Sequence, residues 1–143
     1  MVMISLTHLV NAEEDPYISL ANETVHARYA ALMKALDLPT DDSEQNAQYY
    51  TLVDVLSIAG NRYDADFADW LRNSRTEIDF LNDLAGRKGV VLMYGPGFKA
   101  PHGTVRISLA NLTAEDYGEI GERLFELLDE YYIESGLAQD AAA

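Results

Sequence analysis

Apolar residues recur at two different spacings along the chain, and the spacings predict where helices and strands lie. Between Asp15-Pro16 and Leu38-Pro39 the apolar positions follow steps of three and four residues, which predicts one long helix. An aspartate before a proline is a common helix start, and the residue before a proline tends to leave the helical conformation. The predicted apolar stripe of this helix consists of Ile18, Ala21, Val25, Tyr29, Leu32 and Leu36.

Three short runs predict β-strands, because they are rich in β-branched and aromatic residues. These runs cover residues 49–53, 90–94 and 104–110. Residues 90–94 are apolar on both faces, so we expect this strand at the centre of the sheet. Residues 104–110 alternate instead, and the alternation places Arg106 on the side of the strand opposite to Val105.

Helical spacing returns in the middle of the chain and near its end. The apolar positions of the two middle helices are Tyr63, Phe67, Trp70 and Leu71, followed by Ile78, Leu81, Leu84 and Ala85. Thr113 opens a last helix that Gly136 ends. This order of elements predicts an α/β (α+β) two-layer sandwich in which helices cover a small sheet. The chain has 143 residues and neither repeats nor a linker, so we expect one domain over residues 1–143.

The composition narrows the classes of function. Ten Lys and Arg residues against 24 Asp and Glu give a formal net charge of −14. Such a chain repels phosphate groups, so we expect neither nucleic acid nor an anionic membrane as a partner. Cysteine is absent, which excludes disulfides and thiolate metal sites. No basic region opens residues 1–10 as in a signal peptide, and a cytoplasmic location is expected.

Arg106 is the residue that the pattern singles out for chemistry. It lies in the middle of a predicted strand, on the face that also carries the small side chains of Ser108 and Ala110. A guanidinium held on a rigid strand can donate two parallel hydrogen bonds to a carboxylate. The alternative is an arginine paired with one of the many acidic residues on a solvated face, and the pattern alone favours this alternative.

The remaining polar residues give weaker signals. His8, His26 and His102 are far apart and lack metal-ligand spacing, so no metal site is expected. The Gly95-Pro96-Gly97 turn lacks the lysine and serine of a phosphate-binding loop. In each of the tyrosine pairs 49–50 and 131–132 we expect one buried ring and one at the surface.

Two segments nevertheless resemble the class I/II aminotransferases, pyridoxal-phosphate enzymes of fold type I. They read GVVLMYGPGF at residues 89–98 and TVRISLANL at residues 104–112. Within these enzymes the chain is most similar to aspartate 4-decarboxylases, the bifunctional aspartate aminotransferases and aspartate β-decarboxylases. The sequence AQYYTLVD at residues 47–54 and the helical insert at residues 62–81 carry this closer likeness.

The resemblance implies a fold and a site. It implies the C-terminal small domain of such an enzyme, with a mainly antiparallel sheet, and with residues 1–12 as the end of an interdomain helix. Arg106 matches the arginine that binds the α-carboxylate of L-aspartate, and residues 95–98, with Gly95, Gly97 and Phe98, match a loop near the substrate. Pyridoxal 5′-phosphate would be bound in the full-length enzyme by the large domain, the implied partner of this chain, and a homo-oligomer is possible.

The departures from the family concern the cofactor. The chain contains Lys34, Lys88 and Lys99, and none of them lies in the family's lysine motif. We therefore expect no catalytic residue here, no pyridoxal phosphate bound to this chain alone, and no decarboxylation by it alone. Pro96 and His102 also differ from the common pattern. Two other functions stay open: a non-catalytic interaction module that docks through residues 1–10, and an orphan carboxylate-binding domain that uses Arg106.

Overall fold

The computed structural model describes residues 16–41, 43 and 46–140. The expected end of an interdomain helix at residues 1–12 and the predicted helix cap at Asp15 both lie outside the described residues. The elements, in chain order, are α1 Pro16–Ala35, β1 Tyr50–Asp54, α2 Val55–Arg62, α3 Ala65–Ser74, α4 Glu77–Lys88, β2 Met93–Tyr94, a 3-10 turn Pro96–Phe98, β3 Thr104–Ser108, α5 Ala114–Glu134 and α6 Leu137–Asp140.

The described strands form a small antiparallel sheet in the order β1-β3-β2. On either side of Arg106 in the central strand lie Leu52 of β1 and Met93 of β2, its direct partners in the register. The architecture is thus the expected α+β sandwich with a mainly antiparallel sheet. The alternating strand β3, and not the run at residues 90–94, occupies the centre.

The prediction of a central strand at residues 90–94 was therefore wrong. Only Met93 and Tyr94 pair with β3, and they do so at the edge of the sheet. The reason lies one step earlier in the chain, where Gly89 adopts a left-handed conformation with φ 70° and closes α4. The N–H of Val90 then donates to Leu84 O in the same cap, so these residues serve the helix end rather than the sheet.

Helix α2 was absent from the sequence prediction, because its apolar residues directly continue those of strand β1. The change of conformation occurs at Asp54, whose carboxylate accepts a hydrogen bond from Ser57 N at 3.0 Å. This is an N-cap, which satisfies a backbone donor at the start of the helix. The N–H of Val55 donates to Gly103 O and ties the helix start to the turn before β3.

One face of the sheet belongs to the core. Val53, Val105 and Ile107 are buried in one cluster with leucines of α1 and α5, such as Leu32 and Leu124. Of the predicted stripe, Tyr29 and Leu32 in the second half of α1 and Leu36 just after its end are buried, and Met33 of the same helix is buried beside them. Among the described residues no helix is both long enough and apolar enough to cross a membrane.

The opposite face of the sheet, which we call the outer face, carries Tyr50, Leu52 and Arg106. Tyr50 is 45% exposed and Leu52 is 51% exposed, whereas Val53 on the core face of β1 is completely buried. Alternation along β1 and β3 thus sends one set of side chains into the core and the other set outward.

Candidate functional site

Arg106 lies at the centre of the outer face. Its neighbours in the strand, Val105 and Ile107, are 1% and 2% exposed and anchor β3 in the core. The arginine itself is half-buried. Burial alternates over residues 105–108, and Arg106 is directed away from the core, as the sequence predicted. Thr104 at the start of the strand is buried as well.

Two aromatic rings cover the guanidinium of Arg106. Its Cζ atom lies 3.8 Å from the ring centroid of Tyr50 and 4.0 Å from that of Phe98. Tyr50 begins strand β1 and Phe98 follows strand β2, and these strands flank β3 on opposite sides. The rings therefore approach the planar group from two sides. The N–H donors of a guanidinium project from its edge and not from its faces.

No carboxylate of the described residues lies within ion-pair distance of Arg106, although many other cations have one. Examples are Arg75 with Glu134 at 2.9 Å and Arg123 with Glu119 at 3.1 Å. The alternative interpretation, an arginine paired with an acidic neighbour, is thus not supported in the described part of the chain. The charge of Arg106 meets aromatic rings instead.

The loop from Gly95 to Gly103 positions Phe98. Gly95 N donates to Thr104 O at 3.2 Å, and a Cβ atom on Gly95 would lie 2.3 Å from Thr104 Oγ1. Only glycine fits this approach to the central strand. Gly97 is exposed and lies beside Tyr94. Of the three predicted loop residues, Phe98 contacts Arg106, and the glycines shape the turn that carries it.

Glu77 holds the other end of the same loop. Its Oε1 atom accepts a hydrogen bond from Gly103 N at 2.7 Å and lies 3.1 Å from His102 Nδ1. The hydrogen bond from Gly103, helped by His102, keeps the pKa of Glu77 below its ordinary value. His102, which the sequence analysis left without a role, contacts this structural anchor and not the guanidinium.

A cleft of about 690 Å³ lies beside this anchor, away from Arg106. Its lining includes Glu77 and His102, together with Arg72 and Arg75 from the end of α3. These two arginines already pair with Asp69 and Glu134, respectively. The cleft is large enough for a small ligand, but both of its arginines already have carboxylate partners. Arg106 at the outer face has none among the described residues.

The lysines do not form a pyridoxal-phosphate site. Lys88 contacts Glu126 Oε2 at 3.0 Å and Glu130 Oε1 at 2.8 Å, and these hydrogen bonds raise the pKa of Lys88. A lysine that forms a Schiff base needs the opposite shift, toward the neutral amine. Lys34 in the last turn of α1 and Lys99 after Phe98 are both exposed, without the buried surroundings that activate such a lysine.

Sequence reasoning missed Tyr50. The pair 49–50 was expected to place one ring in the core, yet Tyr49 is 48% and Tyr50 45% exposed, and the two rings pack edge to face at 5.3 Å. The expectation was correct for Tyr131, which is fully buried, next to half-buried Tyr132. The local pattern contains no signal that pairs residue 50 with residue 106, because only the strand register brings them together.

Comparison with known proteins agrees with the family resemblance. The chain is 33% identical, over 132 residues that make up 92% of it, to a bifunctional aspartate aminotransferase and L-aspartate beta-decarboxylase from Pseudomonas sp. The chain spans about a quarter of the length of that relative, 25%. No protein-family model matches it. The resemblance expected from the sequence is thereby confirmed.

Proposed function

Since the chain belongs to the family of the bifunctional aspartate aminotransferases and L-aspartate beta-decarboxylases over the segment it shares with them, we propose that it is the substrate-carboxylate-binding part of such an enzyme. Residues 1–143 form one small domain in this proposal. Arg106 binds the α-carboxylate of L-aspartate, and the loop with Gly95, Gly97 and Phe98 borders the bound substrate.

One observation supports the role of Arg106 above all others. Its guanidinium lies on an exposed sheet face between two rings, without a carboxylate partner among the described residues. The carboxylate of a ligand can accept two parallel hydrogen bonds from the N–H groups at the edge of the guanidinium. Such a pair satisfies donors of the arginine and the acceptor oxygens of the carboxylate together. Hydrogen bonds between charged groups of this kind contribute about 1.5–3 kcal/mol.

The described residues do not fit pyridoxal phosphate, because Lys88 is held protonated between two glutamates and Lys34 and Lys99 are exposed. We therefore assign the cofactor, the reactive lysine and the chemical steps to the large domain, the part of such enzymes that lies beyond the shared segment. This chain contributes orientation of the substrate and no catalytic residue. A cytoplasmic location and assembly into a homo-oligomer complete the proposal.

Titration of the chain with L-aspartate, followed by nuclear magnetic resonance, tests the role of Arg106. We expect Arg106→Ala to weaken binding about ten- to hundredfold, the equivalent of the lost charged pair. Arg123→Ala removes an arginine of α5 and is the matched charge control. Arg72→Ala removes an arginine of the cleft and reports binding there. Unchanged affinity in Arg106→Ala, or a loss in Arg72→Ala instead, contradicts the proposal.

The interaction-module alternative requires a docking segment and shares some exposed residues with the proposed site. Its docking segment, residues 1–10, lies outside the described residues and stays a prediction. The exposed side chains of Tyr50, Leu52 and Phe98 favour a surface that meets another protein. If the chain binds no aspartate, and size-exclusion chromatography shows self-association that Leu52→Asp abolishes, the module replaces the carboxylate site as the function.

A further inference from the structure

The two rings beside Arg106 come from parts of the chain that are distant in sequence and fixed independently. Tyr50 is placed by the register of β1, where it lies opposite Ser108 of the central strand. Phe98 is placed by the 3-10 turn, whose Phe98 N donates to Gly95 O at 2.8 Å. Both backbone positions are held by contacts within the chain itself. The rings therefore form a preformed clamp, by which we mean Tyr50 and Phe98 with the guanidinium between them.

Such a clamp restricts a side chain that is otherwise among the most flexible. A free arginine samples many rotamers and loses that freedom when it binds a ligand. The faces of a guanidinium are weakly hydrated and stack on aromatic rings, whereas its edge donates the hydrogen bonds. The rings of Tyr50 and Phe98 lie 3.8 Å and 4.0 Å from Cζ, close enough to stack on the guanidinium.

We propose that Tyr50 and Phe98 are positioning residues, which hold the guanidinium plane of Arg106 with its edge toward the substrate carboxylate. This inference rests on the proposed function of Arg106 and adds how its affinity arises. Because the rings order the arginine before the ligand arrives, less conformational entropy is lost on binding. This strengthens binding in addition to any contact that Phe98 makes with the substrate.

The surroundings of the rings allow this role to be separated from folding. Tyr50 is 45% and Phe98 55% exposed, so replacing either ring removes little of the core. Phe98→Leu and Tyr50→Leu keep an apolar side chain and remove the ring. Phe98→Trp and Tyr50→Phe keep an aromatic ring at each position and change only its size or its hydroxyl group. Ile133→Ala, at an exposed position of α5, controls for the loss of a surface apolar group.

Two measurements on the full chain test the clamp. The first is the proton shift of the Arg106 Nε–H group without ligand, because ring currents move a stacked proton upfield. We expect an upfield shift in the parent chain and in the ring-retaining variants, and its reduction in the leucine variants. The second is the affinity for L-aspartate. Each leucine variant should bind about two- to tenfold more weakly, and each ring-retaining variant less than about twofold.

The outcomes distinguish the clamp from the function that it serves. If the parent chain binds aspartate through Arg106 and the leucine variants bind it equally well, the positioning role is overturned and the proposed function stands. If the ring-current shift is present but no chain responds to aspartate, the proposed function fails and the positioning role with it. If Ile133→Ala weakens aspartate binding by the same factor as the leucine variants, the loss of affinity in those variants reflects general destabilisation. That result would also overturn the inference.

Discussion

Replacing Gly95 with alanine should destabilise the fold and disturb the site at the same time. A Cβ atom at this position would lie 2.3 Å from Thr104 Oγ1 and 2.5 Å from the Thr104 carbonyl oxygen. That carbonyl belongs to the central strand and accepts the hydrogen bond from Gly95 N. Gly95 has φ −61° and ψ −51°, a conformation that alanine also adopts. The expected effect is therefore steric and not conformational.

The magnitude follows from the closeness of backbone atoms, which cannot move aside as a flexible side chain can. Overpacking of a tight position costs about 1–3 kcal/mol. In a domain of this size we expect the melting temperature to fall by about 3–10 °C. Urea and thermal unfolding monitored by circular dichroism measure both quantities.

Gly97→Ala is the matched control in the same loop. Its Cβ atom would lie 3.3 Å from Tyr94 Cδ1, the atom of a half-exposed side chain that can adjust. We expect a change within about 0.5 kcal/mol. Equal unfolding free energies for the Gly95 and Gly97 variants would refute the steric argument. An intact Arg106 ring-current shift in Gly95→Ala would refute the claim that this glycine positions Phe98.

Two further predictions concern the anchor of the loop and the packing of the helices. Because its folded pKa is lowered, Glu77 adds stability that is present above its ordinary pKa of 4.5 and is lost as the pH falls through the lower folded value. The stability advantage of the parent chain over Glu77→Gln, measured by urea unfolding, should therefore shrink between about pH 5 and pH 3; an advantage that grows toward acid would contradict the assignment. Gly121→Ala should loosen the contact of α5 with α1, because its Cβ would lie 2.5 Å from Ala35 Cβ. Gly118→Ala meets nothing within 4 Å and should stabilise α5 by about 0.5–1 kcal/mol, so equal melting temperatures of the two variants would refute the packing argument.

The sequence predicted those features that depend on local periodicity. Alternation in residues 104–110 predicted that Val105 enters the core and Arg106 faces away, and the burial of the strand agrees. Thr113 predicted the start of α5, where its hydroxyl and the Asp116 carboxylate form a reciprocal cap. Each of these signals is contained in a few consecutive residues and needs no knowledge of the rest of the chain.

The features that the sequence did not predict depend on competition or on distant contacts. Residues 90–94 have the composition of a central strand. At the helix cap formed by Gly89, however, the N–H of Val90 bonds to the end of α4 and not to the sheet. Val91 is consequently 84% exposed. The partners of Arg106 are Tyr50, 56 positions earlier by residue number, and Phe98 across a loop. Such pairs are set by strand order and register, which local patterns do not contain.

The acidity of the chain makes the surroundings of Arg106 informative. With 24 carboxylates against ten Lys and Arg residues, an exposed arginine has many opportunities to acquire an acidic neighbour, as Arg75 and Arg123 have done. A resident carboxylate would occupy the same guanidinium edge that a substrate needs, and binding would then require exchange of one charged pair for another. Aromatic rings cover the faces and do not compete for the edge. In the proposal made above, the clamp of Tyr50 and Phe98 orders the cation as an ion pair would, but it leaves the N–H donors of the guanidinium for an incoming carboxylate.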